Sequence, residues 1–365
     1  MLYLGIDQHR KQITVNLRNE EGDVVLRRQV STEWRRIKAF LEQLRSDAVA
    51  EGGFVAILEV CGFNDWLLEM LDEYDCQQTV LVQPEKRSKK KTDRRDASAL
   101  SEVLWVNRLR LLTGRRVQGV RRVQIPSPQD AEDRQLTATR KRLGQVRTRT
   151  LNKIQHIVLR HNLHQECPTK GLQTKAARKW LAQLSLGEVD RLEMKHLLAQ
   201  WDLWDEQLAE AEEEIKVRQQ QNDTATLIAT VPGGGAFSSL TLASRIGNIE
   251  RFATPASLAN YWGLVPGCRN SGEATDRLGS ITKEGSAIAR FILGQMVLHV
   301  LRKDPAMRAW YARIKKRRGS KIARVAVMRR LATIIWRMVR DRQPYVTGGR
   351  PSVQKMQACF KAVET

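Results

Sequence analysis

The chain has 365 residues, 42% hydrophobic and 28% charged, enough for two or three domains with buried cores. Its 62 Lys and Arg against 40 Asp and Glu leave a formal net charge of +22, which argues against an ordinary metabolic enzyme and points to a polyanionic partner, nucleic acid first. Cys61, Cys76, Cys167, Cys268 and Cys359 are widely spaced with no CxxC pair, against a zinc site and for a reducing compartment. With an acid at residue 7 and no apolar run near 18 residues, the expected location is the cytoplasm.

Residues 1 to about 110 alternate between strand and helix patterns. "LYLGID" reads as a buried strand ending at Asp7, and Ile13, Val15 and Leu17 alternate as one face of a second strand. "NEEGD" is a turn and "VVLRRQV" a third strand. Trp34, Ile37, Phe40, Leu41 and Leu44 recur at helical spacing, and "FVAILE" is a buried strand ending at Glu59. A helix with Trp66, Leu67, Met70 and Leu71 follows, then strand "TVLVQ" and a helix from about Thr92. The order β-β-β-α-β-α-β-α is that of an RNase H-like mixed sheet. A doubly wound nucleotide fold would open β-α-β with a glycine-rich turn, and "QHRK" has no glycine. An actin-like ATPase fold would need phosphate loops that neither "GIDQHRK" nor "VPGGG" supplies.

"QIPSPQ", residues 124 to 129, reads as a linker. Two long polar helical stretches come next, interrupted near "ECPTKG". Leu197, Trp201, Trp204, Leu208, Ala211 and Ile215 step by three and four, a seam suited to a coiled coil or helical hairpin, or to an amphipathic helix on a neighbouring domain. From about residue 224 the chain is helical and globular. Residues 301–350 hold sixteen Lys or Arg against two acids, with Ile322, Val325, Val327, Met328, Leu331, Ile334 and Ile335 interleaved, so a packed helix with a basic face is expected. The expected domains are 1–123, 124–222 and 223–345, with a tail over 346–365.

Asp7 and Glu59 each close a predicted strand, and in the RNase H order those strands are neighbours. Asp93 and Asp96, in "KKKTDRRDA", lie one helical turn apart on the next helix. Each acid alone has an ordinary reading; a D-x-x-D pair most often serves nearby arginines. Four acids converging in this order would repel one another unless cations neutralise them, and Mg²⁺ suits both carboxylates and phosphate oxygens. Lys89, Lys90, Lys91, Arg94 and Arg95 would then hold a phosphate backbone beside the metal.

In the second half, "VPGGG" forms a tight turn between two helix patterns, where Gly233 and Gly235 could present N–H groups to a phosphate. A plain packing unit reads equally well. "GCRNSGEATDRLGSITKEG", residues 267–285, reads as a long polar loop. Within it Ser271, flanked by Arg269 and Arg277 with Lys283 beyond, could attack a phosphate, as could Ser280 or Ser286; on composition a solvated serine is the commoner case. Lys315, Lys316, Arg317 and Arg318 are further candidate nucleic-acid contacts.

These residues carry a resemblance. "YLGID", "AILEVCG", "KTDRRDA", "VPGGGAFSSLTLASRIGNIERFATPASLANYWGLVP", "RNSG" and "GSITKEGSAIARFIL", in this order, resemble the DEDD-type insertion-sequence transposases, RNA-guided DNA recombinases with an N-terminal RuvC-like domain and a C-terminal serine domain. The resemblance implies that Asp7, Glu59, Asp93 and Asp96 bind Mg²⁺ and that Ser271, rather than Ser280 or Ser286, is the nucleophile. It also implies a coiled-coil arm, a helix-hairpin-helix element, a homo-oligomer that is dimeric and then tetrameric on DNA, and a noncoding bridge RNA that pairs with donor and target DNA. Cys61 and Gly234 depart from the family's usual residues. The expected reaction is cutting and rejoining of DNA through a phosphoserine intermediate at a composite site. The alternatives are a RuvC-like nuclease or junction resolvase using water, and a nucleic-acid-binding protein without catalysis.

Overall fold

The opening apolar run forms β1 (Leu2–Gln8) and the alternating segment after it forms β2 (Gln12–Arg18), joined by a turn in which the His9 N–H donates to the Gln12 carbonyl at 2.9 Å. This computed structural model describes residues 1–83, 93–268 and 278–348. It divides into two compact units, one spanning Met1–Ile125 and the other beginning at Pro126.

In the first unit β3 (Val24–Ser31), α1 (Trp34–Ala50), β4 (Phe54–Glu59), α2 (Asp65–Glu73), β5 (Cys76–Gln83) and α3 (Asp93–Val106) follow in the order expected from the sequence. A short α4 (Arg108–Leu112) and β6 (Arg121–Val123) complete it. The sheet order is β3-β2-β1-β4-β5-β6. Strand β1 runs parallel to β4, and β4 to β5, while β2, β3 and β6 are antiparallel to their neighbours.

Because side chains alternate along a strand, the two faces carry different residues. Leu2, Leu4, Ile6, Ile13, Val15, Leu17, Ala56 and Leu58 pack with Ile37, Phe40 and Leu41 of α1 and Leu67 and Leu71 of α2. The opposite face carries Tyr3, Val55, Ile57, Val80 and Val82 against Leu100 and Leu104 of α3. Trp34, expected within the buried stripe of α1, is 60% exposed; it lies outside the stripe and meets Trp66 edge-on, ring centroids 5.7 Å apart.

Strand β6, two of whose three residues are arginines, is not among the strands expected from the sequence. Its three residues pair with the end of β5, and Arg122 donates to the Leu111 carbonyl at 2.9 Å. Part of that positive charge therefore serves the fold.

The second unit opens with α5 (Pro128–Arg160), whose first turn is set by Ser127 accepting from the Asp130 N–H and by proline at its start. After α6 (Lys175–Ala182) the chain returns along α7 (Glu188–Gln220). Ion pairs run Arg218–Asp133, Arg140–Glu212, Arg147–Asp205 and Arg160–Asp190, so α5 and α7 are antiparallel. Of the seam residues, Leu197, Trp201, Ala211 and Ile215 are buried and Trp204 and Leu208 half-buried. The seam is thus that of a helical hairpin within one chain. Toward its far end Ile154, Ile157, Val158, Leu181, Met194, Leu197 and Trp201 make a separate core.

The unit continues through α8 (Asp223–Ala229), α9 (Ala236–Ile246), α10 (Pro255–Tyr261), β7 (Pro266–Cys268), β8 (Leu278–Ile281), α11 (Ala287–Lys303) and α12 (Pro305–Asp341). The last is interrupted at Gly319, whose φ of +81° is not helical. Ile228, Leu240, Leu242, Ile246, Trp262, Ile292, Leu293, Val327, Leu331 and Ile335 fill its core. Among the described residues no helix is long and apolar enough to cross a membrane.

Candidate functional site

Ile6 of β1 stands beside Leu58 of β4 in parallel register, so Asp7 and Glu59, the next residue of each strand, end side by side. Tyr3, Val55 and Ile57 fix which face each strand presents, and strand alternation places Asp7 and Glu59 on the face crossed by α3.

Helix α3 is held tightly there. A Cβ on Gly5 would lie 2.5 Å from the Ser101 nitrogen and closer still to the Ala97 carbonyl, so only glycine lets the helix rest on β1. Fully buried Ser101 donates to Asn16 Oδ1 at 2.7 Å and accepts from Arg18 Nε at 3.1 Å, which ties the helix to β2. Ala97, Leu100 and Leu104 continue the buried stripe. Asp93 and Asp96 therefore occupy the first turn of a helix anchored over β1, the strand that carries Asp7 next to its last residue.

Two further groups organise the strand ends. Asp7 Oδ2 lies 3.1 Å from His9 Nε2. Asn64 Nδ2 donates to Gln8 Oε1 at 2.8 Å and to the Glu59 carbonyl at 3.2 Å, while Gln8 Nε2 donates to the Phe63 carbonyl at 2.9 Å. Gln8 and Asn64, both buried, thus clamp the residue after Asp7 to the loop after Glu59. Cys61 sits in this loop, its N–H donating to Asn64 Oδ1. None of these amides was singled out from the sequence, because pairs 56 residues apart leave no periodic signal; the one visible cue to His9 was its position one residue beyond the strand.

Among the described residues no three of His, Cys, Asp and Glu converge into a metal-holding group. The Asp93 side chain lies outside them. The paired strand-end carboxylates are hard oxygen donors, the chemistry that a divalent cation of the Mg²⁺ type needs, so the residues present fit such an ion.

The remaining candidates fall in several places. Lys89, Lys90, Lys91, Arg269, Ser271 and Arg277 lie outside the described residues, as do the side chains of Arg94 and Arg95. The segment read as one polar loop over 267–285 is bounded by a two-stranded ribbon, in which Pro266 pairs with Ile281 and Cys268 with Leu278. Thr282 N–H donates to the Val265 carbonyl at 2.9 Å and extends it, and Ser280 is exposed on β8. Ser286 is the N-cap of α11, accepting from the Ala289 N–H at 3.2 Å, so its hydroxyl already has a structural task. Lys283 is exposed, with φ +56°. Lys315, Lys316, Arg317 and Arg318 are exposed on α12 just before its break.

The glycine turn joins α8 to α9. A Cβ on Gly233 would meet the His299 side chain at 2.9 Å, and one on Gly234 would meet the Ile228 and Val231 carbonyls at 2.5 and 2.8 Å. Gly234 is thus required by its own turn. Gly235, the N-cap of α9, has open space around it.

The family profile described as "Transposase IS116/IS110/IS902 family" matches residues 225–312, and a second, for the DEDD transposase domain of IS110 elements, matches residues 4–163. The chain belongs to this transposase family. It is 27% identical over 301 residues to a transposase of insertion sequence element IS1111A from Coxiella burnetii, covering 80% of this chain and 79% of that protein. A probable family 20 transposase of Pseudomonas aeruginosa is 24% identical over 94% of this chain and 98% of its own length. The pilin gene-inverting protein of Moraxella bovis is 30% identical over 34% of this chain and 39% of its own. The DEDD profile spans Asp7, Glu59, Asp93 and Asp96, and family membership makes divalent-metal use a general expectation for that domain.

Proposed function

We propose that this transposase cuts and rejoins donor and target DNA through a covalent phosphoserine intermediate at Ser271. The observation that carries the reading is the register of β1 and β4, which sets Asp7 beside Glu59 on the face crossed by α3. Such a pair, with Asp93 and Asp96 on the helix above, suits a phosphodiester reaction, and the relatives' names place the family in DNA rearrangement.

In this mechanism Ser271 Oγ, losing its proton, attacks the scissile phosphorus. An Oγ–P bond forms and a P–O bond to the DNA sugar breaks, releasing a sugar hydroxyl. The hydroxyl of the exchanged strand later attacks the phosphoserine, breaks the Oγ–P bond and returns the serine. One phosphoester replaces another at each step, so no nucleotide triphosphate is consumed. Asp7, Glu59, Asp93 and Asp96 would hold Mg²⁺, which supplies Lewis-acid polarisation of the phosphate when bound. His9 holds Asp7 in orientation, and Gln8 with Asn64 keeps the two strand ends together. Arg269, Arg277 and Lys283 flank Ser271 in sequence and would offset charge on the pentavalent phosphorus. The helices of the second unit serve a protein that acts as a homo-oligomer, and target choice rests with a noncoding bridge RNA whose pairing reads the DNA.

The deciding experiment is a denaturing-gel assay for protein–DNA adduct on a nicked suicide substrate, with the RNA supplied. An adduct is expected with the native chain, none with Ser271→Ala, and little with Asp7→Ala or Glu59→Ala. Hydrolysis persisting in Ser271→Ala without adduct would establish a water-using RuvC-like nuclease instead. Undiminished recombination after loss of all four acids would remove any catalytic role for the acid set.

A further inference from the structure

A groove of about 620 Å³ lies between the β2–β3 pair and α3, lined by Thr14, Asn16, Arg27, Gln29, Ser98 and Glu102 among others. Its position follows from the register. Asp7 stands opposite Thr14, and Thr14 opposite Gln29, so one row across the sheet runs Gln29, Thr14, Asp7 and Glu59. Arg27 stands opposite Asn16, and alternation puts both on the α3 face, with Arg28 turned to the other. The groove is therefore a lateral approach to the paired acids.

Its charge has a definite sense. Arg27 is exposed on the edge strand and has no ion-pair or hydrogen-bond partner among the described residues. The acid on the opposite wall, Glu102, pairs with Arg18 at 3.6 Å. On the floor, Thr14 is 4% exposed and, among the described residues, its Oγ1 has no hydrogen-bond partner. Charged side chains on an edge strand also discourage strand addition. That alone explains neither a concave site nor its continuity with the Asp7–Glu59 row.

We infer that this groove seats the sugar-phosphate backbone of a nucleic-acid strand running toward the acids, with Arg27 pairing to a phosphate and Gln29 donating beside it. The inference rests on the acid set being the reacting centre, but its test does not depend on catalysis. Phosphate contacts are not sequence-specific and are salt-sensitive, which fits a strand held for position rather than read.

The test uses the full chain in EDTA. Oligonucleotides carrying 4-thiothymidine or 4-thiouridine are photocrosslinked, and the attached peptides are mapped by mass spectrometry. Crosslinks are expected within 12–18 or 24–31, lost in the double variant Arg27→Glu, Gln29→Glu and retained in Lys38→Glu, a charge-reversal control on α1 across the sheet. Binding by the double variant should weaken about tenfold, with a salt slope smaller by about one to two. Loss confined to the DNA probe identifies a DNA strand and loss confined to the RNA probe an RNA strand. Crosslinks absent from both peptides in the native chain, or equal effects of Lys38→Glu, overturn the inference. Groove crosslinks that survive while Asp7→Ala still recombines would sink the acid-site reading alone.

Discussion

Gly5 of β1 lies so close beneath Ala97 and Ser101 of α3 that a single added methyl would fall 2.5 Å from the Ser101 nitrogen. Helix and strand are thus in backbone contact two residues before Asp7. Gly5→Ala must lift the helix, an overpacking cost of about 1–3 kcal/mol. The expected outcome is a lower midpoint in urea together with a large loss of recombination. Gly62→Ala, which meets nothing within 4 Å, should leave recombination far less changed.

The paired strand-end acids give the sharpest loss. Asp7→Asn and Glu59→Gln keep shape while removing charge, so folding and binding to DNA in EDTA should persist. Recombination is expected to fall at least about 100-fold. Titration calorimetry with Mg²⁺ or Mn²⁺ on the same variants should show the metal response weakened.

His9 acts through Asp7, 3.1 Å away. Partners of a ligating carboxylate commonly alter metal affinity about 10–100-fold when removed. His9→Ala should weaken Mn²⁺ affinity within that range, and His9→Gln, which can still donate, should recover part of it. Equal affinity in all three proteins would leave His9 without a positioning role.

How much of this was readable beforehand varied by element. The order of the first eight elements follows from apolar runs and alternation, and so does the pairing of Asp7 with Glu59, because strand ends are visible as the last residue of an apolar run. The hairpin of α5 and α7 was open to more than one reading, since a seam of Leu and Trp does not say what covers it. Strand β6 escaped because three residues, two of them arginines, carry no period. The Gln8–Asn64 clamp and the Ser101–Asn16 tie escaped for a different reason: polar pairs 56 and 85 residues apart are written in the topology alone. Ser286 read as a rival nucleophile, and its capping bond shows why a serine before an apolar helix is more often a cap.

Acid should expose another long-range tie. Asp304 caps α12 through the Met307 N–H and accepts from the Tyr345 hydroxyl at 2.7 Å and the Gly348 N–H at 3.1 Å. Burial pushes its carboxyl up, but these donors outweigh burial and hold it below the usual carboxylate value. With the folded value depressed, the stabilisation is complete above the unfolded value and fades as pH falls through the folded one. Thermal midpoints should therefore drop below about pH 4. Asp304→Asn should lose about 1–3 kcal/mol near neutrality and show a flatter acid limb.

Trp201 offers a check on the arm. It is fully buried, with the Arg178 guanidinium 3.9 Å from its ring centroid, and Trp201→Ala should cost about 3–5 kcal/mol. Limited proteolysis should then cut first within residues 160–200, while the core around Leu331 and Ile335 stays protected.

The arm's antiparallel course has a consequence for how such chains can vary. Its two helices, 33 residues each, depart from and return to the same core, where Leu136 and Ile215 both pack. Its span, about 50 Å at 1.5 Å per residue, works as a telescoping rod. Taking seven residues from each helix at facing positions would shorten the reach by about 10 Å and leave every rung at the base matched. Taking seven from one helix alone would put the rungs Arg140–Glu212 and Arg147–Asp205 out of step. Reach can therefore change only by paired edits, and residues 164–224, between the two stretches that match the family, hold the returning half of the rod.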